Sequence, residues 1–121
     1  MSVATKESIL RTGDAFAGAL REIKWEAEVF TVGGKMFALL GGDKQGTPIL
    51  SLKCEPLMGE LLRNAHPEIT PGYYLNKMHW ISVYYEDFPE EHLFELFRDS
   101  YNLVLGALPK KTRAALLADP G

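Results

Sequence analysis

Apolar residues recur at helical spacing near the start of the chain, where Ile9, Gly13, Phe16, Ala17 and Leu20 share one side of a 3.6-residue wheel. This predicts a helix over about 5–21. Gly13 and Gly18 lower its propensity, so its stability must come from docking. The pattern then changes to short runs that read as strands over 25–32 and 35–40. Gly33-Gly34 joins them, a pair suited to the positive φ angles of a two-residue hairpin turn. A polar, Gly-rich loop over 41–47 precedes a third strand over 48–53. Glu55-Pro56 opens a helix over 55–65, because proline suits a first turn, and Leu57, Leu61, Leu62 and Ala65 form its inner stripe. A loop over 66–78 leads to a strand over 79–85. Asp87 and Glu90 have capping-box spacing and start a helix running to about 108, with Leu93, Phe94, Phe97, Tyr101, Val104, Leu105 and Leu108 facing inward. Pro109 stops it, and 110–118 adds a last helical turn.

Short loops between the early strands imply antiparallel pairing. The predicted class is α+β, an antiparallel sheet of four or more strands with helices mainly on one face. Phe16, Phe37, Leu61, Trp80, Phe94, Phe97 and Tyr101 are the expected core.

Composition narrows the class without naming a chemistry. The 121 residues are the size of one domain, spanning 1–121, and 46% apolar with 24% charged residues is the balance of a soluble globular protein. No apolar run approaches the roughly 18–20 residues that span a bilayer. The first seven residues lack the basic-then-apolar order of a signal peptide, and the lone Cys54 has no internal partner, so a cytoplasmic location without disulfides is expected. The net charge is −3, and residues 84–108 alone carry −5, leaving a mildly basic balance over 33–83. Glu90, Glu91 and Glu95 on that acidic helix should be exposed and far from any anionic ligand.

Most catalytic signatures are absent: there is no CxxC, GxGxxG, Walker loop or GxSxG. Gly33-Gly34-Lys35 lacks the length and following helix of a phosphate loop. His66, His79 and His92 fall in three different predicted elements. Only His92 and Glu95 have a ligand-like spacing, and that i,i+3 pair reads as a solvated helix face. Cys54 has no identifiable base nearby and reads as a half-buried structural thiol. Lys110, Lys111 and Arg113 complement a helix end. No metal and no cofactor are expected.

The stretch 71–80, Pro-Gly-Tyr-Tyr-Leu-Asn-Lys-Met-His-Trp, carries the densest functional chemistry. Lys77 offers a cation, Asn76 a two-way amide, His79 an imidazole, and Tyr73, Tyr74 and Trp80 offer ring faces. The same residues also suit loop architecture, with Pro71-Gly72 and Asn76 shaping the turn and Trp80 filling the core.

Together with Val32–Ala38, Ser51–Cys54, Ser100-Tyr101 and Leu108–Lys111, this stretch resembles the pattern of the MmcQ/YjbR family over about residues 5–115, the Asn76-Lys77-x-His79-Trp80 element being the most specific part. The resemblance implies a compact α+β fold of the CyaY-like, or double-wing, type. It also implies DNA binding, as members are commonly labelled. Tyr74 departs from the histidine expected there in many relatives. The leading expectation is therefore a monomeric, non-enzymatic domain that binds nucleic acid weakly and without sequence preference. Lys35, Lys53 and Lys77 would contact phosphates, beside Tyr73, Asn76 and His79, with a Kd on the order of 10⁻⁴–10⁻⁶ M. The alternatives are a protein-interaction module using the aromatic loop 71–80 and a binder of small anions or metabolites. Lysines converging on a convex face favour nucleic acid, convergence in a concave pocket favours a small ligand, and dispersal favours a protein partner.

Overall fold

The computed structural model describes residues 2–118. Six strands form one antiparallel sheet: β1 Ala19–Lys24, β2 Ala27–Val32, β3 Lys35–Gly42, β4 Pro48–Lys53, β5 Ile69–Pro71 and β6 Trp80–Val83, in the spatial order β1-β2-β3-β4-β6-β5. Four helices accompany it: α1 Lys6–Asp14, α2 Pro56–Ala65, α3 Glu90–Ala107 and α4 Lys110–Leu117. The α3 helix lies across β2, β3 and β4. The class, the antiparallel sheet and the long third helix are as the sequence pattern predicts.

The helix-side core is aromatic. Phe97 on α3 meets Phe16 at 5.1 Å, Phe30 at 5.4 Å and Phe37 at 6.1 Å between ring centroids, and Tyr101 stacks on Phe16 at 4.8 Å. A bulge in β3 supports this packing. Phe30 pairs with Ala38 and Thr31 with Met36, so Phe37 has no partner in β2, and both Phe37 and Ala38 join the core. Ser100 on α3, fully buried, secures the bulge: its hydroxyl donates to the Phe37 carbonyl and accepts from the Lys53 amide at 2.9 Å. A buried hydroxyl with both partners present avoids the cost of an orphaned polar group.

Several elements differ from expectation. The first helix ends at Asp14. A Cβ on Gly13 would strike the Phe30 ring at 2.2 Å, and Gly18 turns the chain at φ +74° into the edge strand β1. Leu20 is therefore 71% exposed on a strand rather than inward on a helix. Trp25 does not begin a strand; it and Glu26 form a two-residue turn between β1 and β2 at φ 53° and 59°. The loop 66–78 contains the short strand β5. Asp87 lies in a 3₁₀ turn and Pro89 occupies the N-cap of α3, so no capping box forms there; the one that does form joins Thr5 and Ser8 on α1. On α2, Gly59 and Leu62 face the sheet, leaving Leu57 and Leu61 69% and 54% exposed, which overturns Leu61 as a core residue. Phe16 and Phe94 are half-buried against the core, and Phe37, Trp80, Phe97 and Tyr101 are buried. Glu91 and Glu95 are exposed and Glu90 partly so.

Candidate binding groove on the open face

Strand register assigns a second set of residues to the face away from the helices. Val29 pairs with Leu39, Leu39 with Ser51, Ser51 with Ser82, Gly41 with Ile49, and Lys53 with Trp80. Val29, Ile49 and Trp80 are buried yet lie outside the helix-side cluster, so this face has an apolar layer of its own.

The segment 72–79 folds over the β4–β6 half of that face. The Tyr73 amide donates to Ser82 Oγ at 2.9 Å, and the Ser82 hydroxyl meets that of Ser51 at 2.7 Å beneath it. Gly72 donates to the Trp80 carbonyl at 2.9 Å, and a Cβ there would sit 2.5 Å from Trp80 Cβ. Asn76 Oδ1 accepts from the amides of Met78 at 2.8 Å and His79 at 3.3 Å, closing a side-chain turn. The Lys77 ammonium donates to the Gly72 carbonyl at 3.1 Å. Both Asn76 and Lys77 thus hold the loop's own backbone.

The six sequence-selected residues do not form one constellation. Asn76, Lys77 and His79 gather with Lys53 at one corner, where the Cys54 amide donates to the His79 carbonyl and Lys53 Nζ lies 5.6 Å from the Trp80 ring centre. Tyr73 belongs to the other end of the loop, where its hydroxyl accepts from the Lys44 amide at 2.9 Å. Lys35 shares a register position with Val32 of the helix-side core, on the opposite face from Lys53. Burial is the largest influence on the Cys54 thiol and pushes it up against the pull of Arg63. Among the described residues there is no group of three His, Cys, Asp or Glu side chains able to hold a metal, and no helix long and apolar enough to cross a membrane.

Beside the loop, the β1–β3 half of the face is open. A groove of about 1070 Å³ runs between the Trp25-Glu26 turn and Tyr73-Tyr74, floored by Ala27, Leu39, Gly41 and Ile49. Gly41 keeps the floor low, since a Cβ there would meet that of Ala27 at 3.2 Å. The rim mixes charges: Lys44 against Glu26 and Asp43. Three residues other than glycine have positive φ among those described, Trp25, Glu26 and Tyr74 at 63°, and all three line this groove. Trp25 and Tyr74 are 73% and 75% exposed, and Tyr74 packs edge-to-face on Tyr73 at 4.5 Å. Local desolvation beside Tyr73, the Tyr73 hydroxyl and the nearby Asp43 carboxylate push the Tyr74 hydroxyl up. Trp25 carries no mark in the sequence, because the turn it makes contains no Gly, Asn or Pro.

Comparison with known proteins places this arrangement in a family. The YjbR family model matches residues 14–103. The uncharacterized protein YbdF of Escherichia coli O157:H7 is 40% identical over 113 residues, covering 88% of this chain and 92% of its own. The uncharacterized protein YjbR of Escherichia coli K12 is 33% identical over 94 residues, covering 77% and 79%. The crystal structure of Deinococcus radiodurans protein DR2400 superposes with a TM-score of 0.83 at 39% identity, over 94% of this chain and 88% of that one. A Pseudomonas syringae protein at 23% identity shares the fold with a TM-score of 0.74, over 84% and 99%. With the family match spanning most of the chain and the fold matching DR2400 almost throughout, this protein belongs to the YjbR family.

Proposed function

We propose that this protein is a non-enzymatic binding module whose open-face groove takes an apolar segment of a protein partner. The observation that carries the reading is the placement of the three positive-φ residues. A left-handed conformation costs an L-residue roughly 1–2 kcal/mol. Here that cost falls on Trp25, Glu26 and Tyr74, at the rim of one groove, and it holds two large aromatics out in solvent. Local strain concentrated at one surface site is a mark of function. Exposed Trp and Tyr flanking an apolar floor are the side chains that anchor protein interfaces.

The charges support a protein over a nucleic acid. A polyanion needs a field of one sign, and the groove rim carries both signs. The lysines chosen as phosphate contacts are dispersed, with Lys35 on the far face and Lys77 bonded to Gly72.

A peptide-display library panned against the protein, followed by NMR mapping of the selected peptides, tests the reading. Shifts confined to Trp25, Ala27, Ile49, Tyr73 and Tyr74, and binding lost in Tyr74→Gly, are expected. Peptides that map elsewhere would overturn it. Saturable, salt-dependent binding of duplex or single-stranded DNA centred on Lys53 and Lys77 would restore the nucleic-acid alternative.

A further inference from the structure

His66 and His92 are separated by the whole of β5, the 72–79 loop and β6, and the fold brings them together. His66 caps the C-terminus of α2 and His92 lies in the first turn of α3. Their ring centroids are 5.0 Å apart with planes at 69°. Fully buried Phe88 backs both, at 5.2 Å from His66 and 5.0 Å from His92. Both imidazoles are half-buried, and their ring contacts are with each other and with Phe88.

We infer that His66 and His92 form a two-imidazole chelate for an imidazole-preferring divalent cation, Zn²⁺ or Ni²⁺, bridging α2 to α3. The spacing carries the argument. Two imidazoles on one ion, with metal–nitrogen bonds of about 2.0–2.1 Å at a near-tetrahedral angle, place their ring centres roughly 5 Å apart. The terminal torsion of a histidine side chain is broad, so either ring can turn a nitrogen toward a shared ion without moving the backbone. Phe88 forms the floor beneath both rings. The surroundings favour a cation: Glu91 and Glu95 are exposed on α3, Glu68 follows His66 by two residues, and residues 84–108 carry a net charge of −5. Since no third ligand joins the pair among the described residues, water completes the coordination and the site is an exchangeable one. Neutral imidazole suits zinc and nickel, whereas magnesium and calcium prefer oxygen ligands.

Calorimetric titration of the intact protein with ZnCl₂ and with NiCl₂ tests this, with MgCl₂ as the control. One saturable site is expected for Zn²⁺ and Ni²⁺ and none for Mg²⁺. The site should vanish in His66→Gln and in His92→Gln, and survive in His79→Gln and Cys54→Ser. Absence of saturable Zn²⁺ or Ni²⁺ binding, or binding that persists without either histidine, overturns the proposal. Should a variant fail to fold, NMR of the unaltered protein gives the answer. Substoichiometric Ni²⁺ should broaden the imidazole signals of His66 and His92 together, and broadening of His79 alone, or of none of the three, would rule the chelate out.

Discussion

On the helix side of the sheet, Phe16, Phe30, Phe37, Phe97 and Tyr101 interlock, and the polar groups among them are satisfied by Ser100 and by the Tyr101 hydroxyl, which donates to the Ala17 carbonyl at 2.6 Å. On the other side, half the sheet is covered by one loop pinned through hydrogen bonds, and the rest is a groove edged by residues in costly conformations. The first face is organised by packing, where misplacing a methylene is felt immediately. The second is organised by backbone geometry that packing alone does not require. Stability therefore resides mainly on the helix side.

The largest test of that contrast is Phe97→Ala. Phe97 is fully buried and meets three other rings, so its loss should cost about 3–5 kcal/mol in chemical denaturation. A cost below about 1 kcal/mol would mean that the helix-side cluster does not dominate the fold.

Next in size is Gly72→Ala, which asks whether the loop-covered half of the open face is truly packed. The added Cβ would sit 2.5 Å from Trp80 Cβ, with the Trp80 carbonyl carbon and oxygen also closer than 3.4 Å. Backbone on that side cannot give easily, and overpacking of this kind costs about 1–3 kcal/mol. Thermal melts should show the loss, and the amide of Tyr73 should exchange faster as its bond to Ser82 loosens. A neutral substitution would show that the segment 72–79 lies loosely on the sheet.

These two faces were unequally legible in the sequence. The helix side announced itself because α3 repeats its apolar residues at 3.6 spacing for five turns, and Phe97 and Tyr101 fall on that stripe. β2, β3 and β4 are legible because short apolar runs are punctuated by Gly33-Gly34 and the Gly-rich 41–47. β1 has no sign of its own because Phe16, Ala17 and Leu20 continue a helical period by coincidence, and the positive φ of Gly18 marks where the chain turns into the strand. α2 was misfaced for a related reason: its inner surface is Gly59, a residue with no side chain to signal burial. Within the candidate site, Tyr73 and Asn76 were readable from turn chemistry, and the corner of Lys53, Lys77 and His79 was readable in part. Trp25 was not, since a two-residue turn with both φ angles positive gives no sign when it is made from Trp and Glu. The meeting of His66 and His92 was equally hidden, being a product of tertiary folding alone.

Glu26→Gly sharpens the comparison in the opposite direction, because here a substitution should stabilise. Glycine takes the left-handed region without the penalty an L-residue bears, so relieving φ 59° should raise stability by about 1 kcal/mol. The corresponding Trp25→Gly should also relieve strain at φ 53° while removing the 73% exposed indole, so that stability rises as peptide binding falls. That opposition separates a functional aromatic from a structural one. If Trp25→Gly lowers stability instead, Trp25 is holding the hairpin together and the groove loses its strongest support.

The smallest expected effect concerns pH and the far rim of the groove. Asp43 Oδ1 accepts from the amides of Gln45 at 2.9 Å and Thr47 at 3.0 Å, and Oδ2 accepts from the Tyr84 hydroxyl at 2.9 Å. Burial is the largest single influence on this carboxyl and pushes it up, but the hydrogen bonds from Thr47, Tyr84 and Gln45 together outweigh it and hold it below the ordinary aspartate value of 3.8. The folded carboxyl thus gives up its charge less readily than the unfolded one. Its contribution to stability is present above the unfolded value and is lost as pH falls through the lower folded value. Because Asp43 lies near solvent, the change should be local rather than global. The amides of Gln45 and Thr47 should shift in NMR with a midpoint below 3.8, and Asp43→Asn should abolish that transition. The amide of Lys44, inside the same turn, donates to the Tyr73 hydroxyl at 2.9 Å, so the Tyr73 ring should report the same midpoint. A Tyr73 that stays unmoved while Gln45 and Thr47 titrate would mean that the turn and the loop are independent, and that the groove's two walls are set separately.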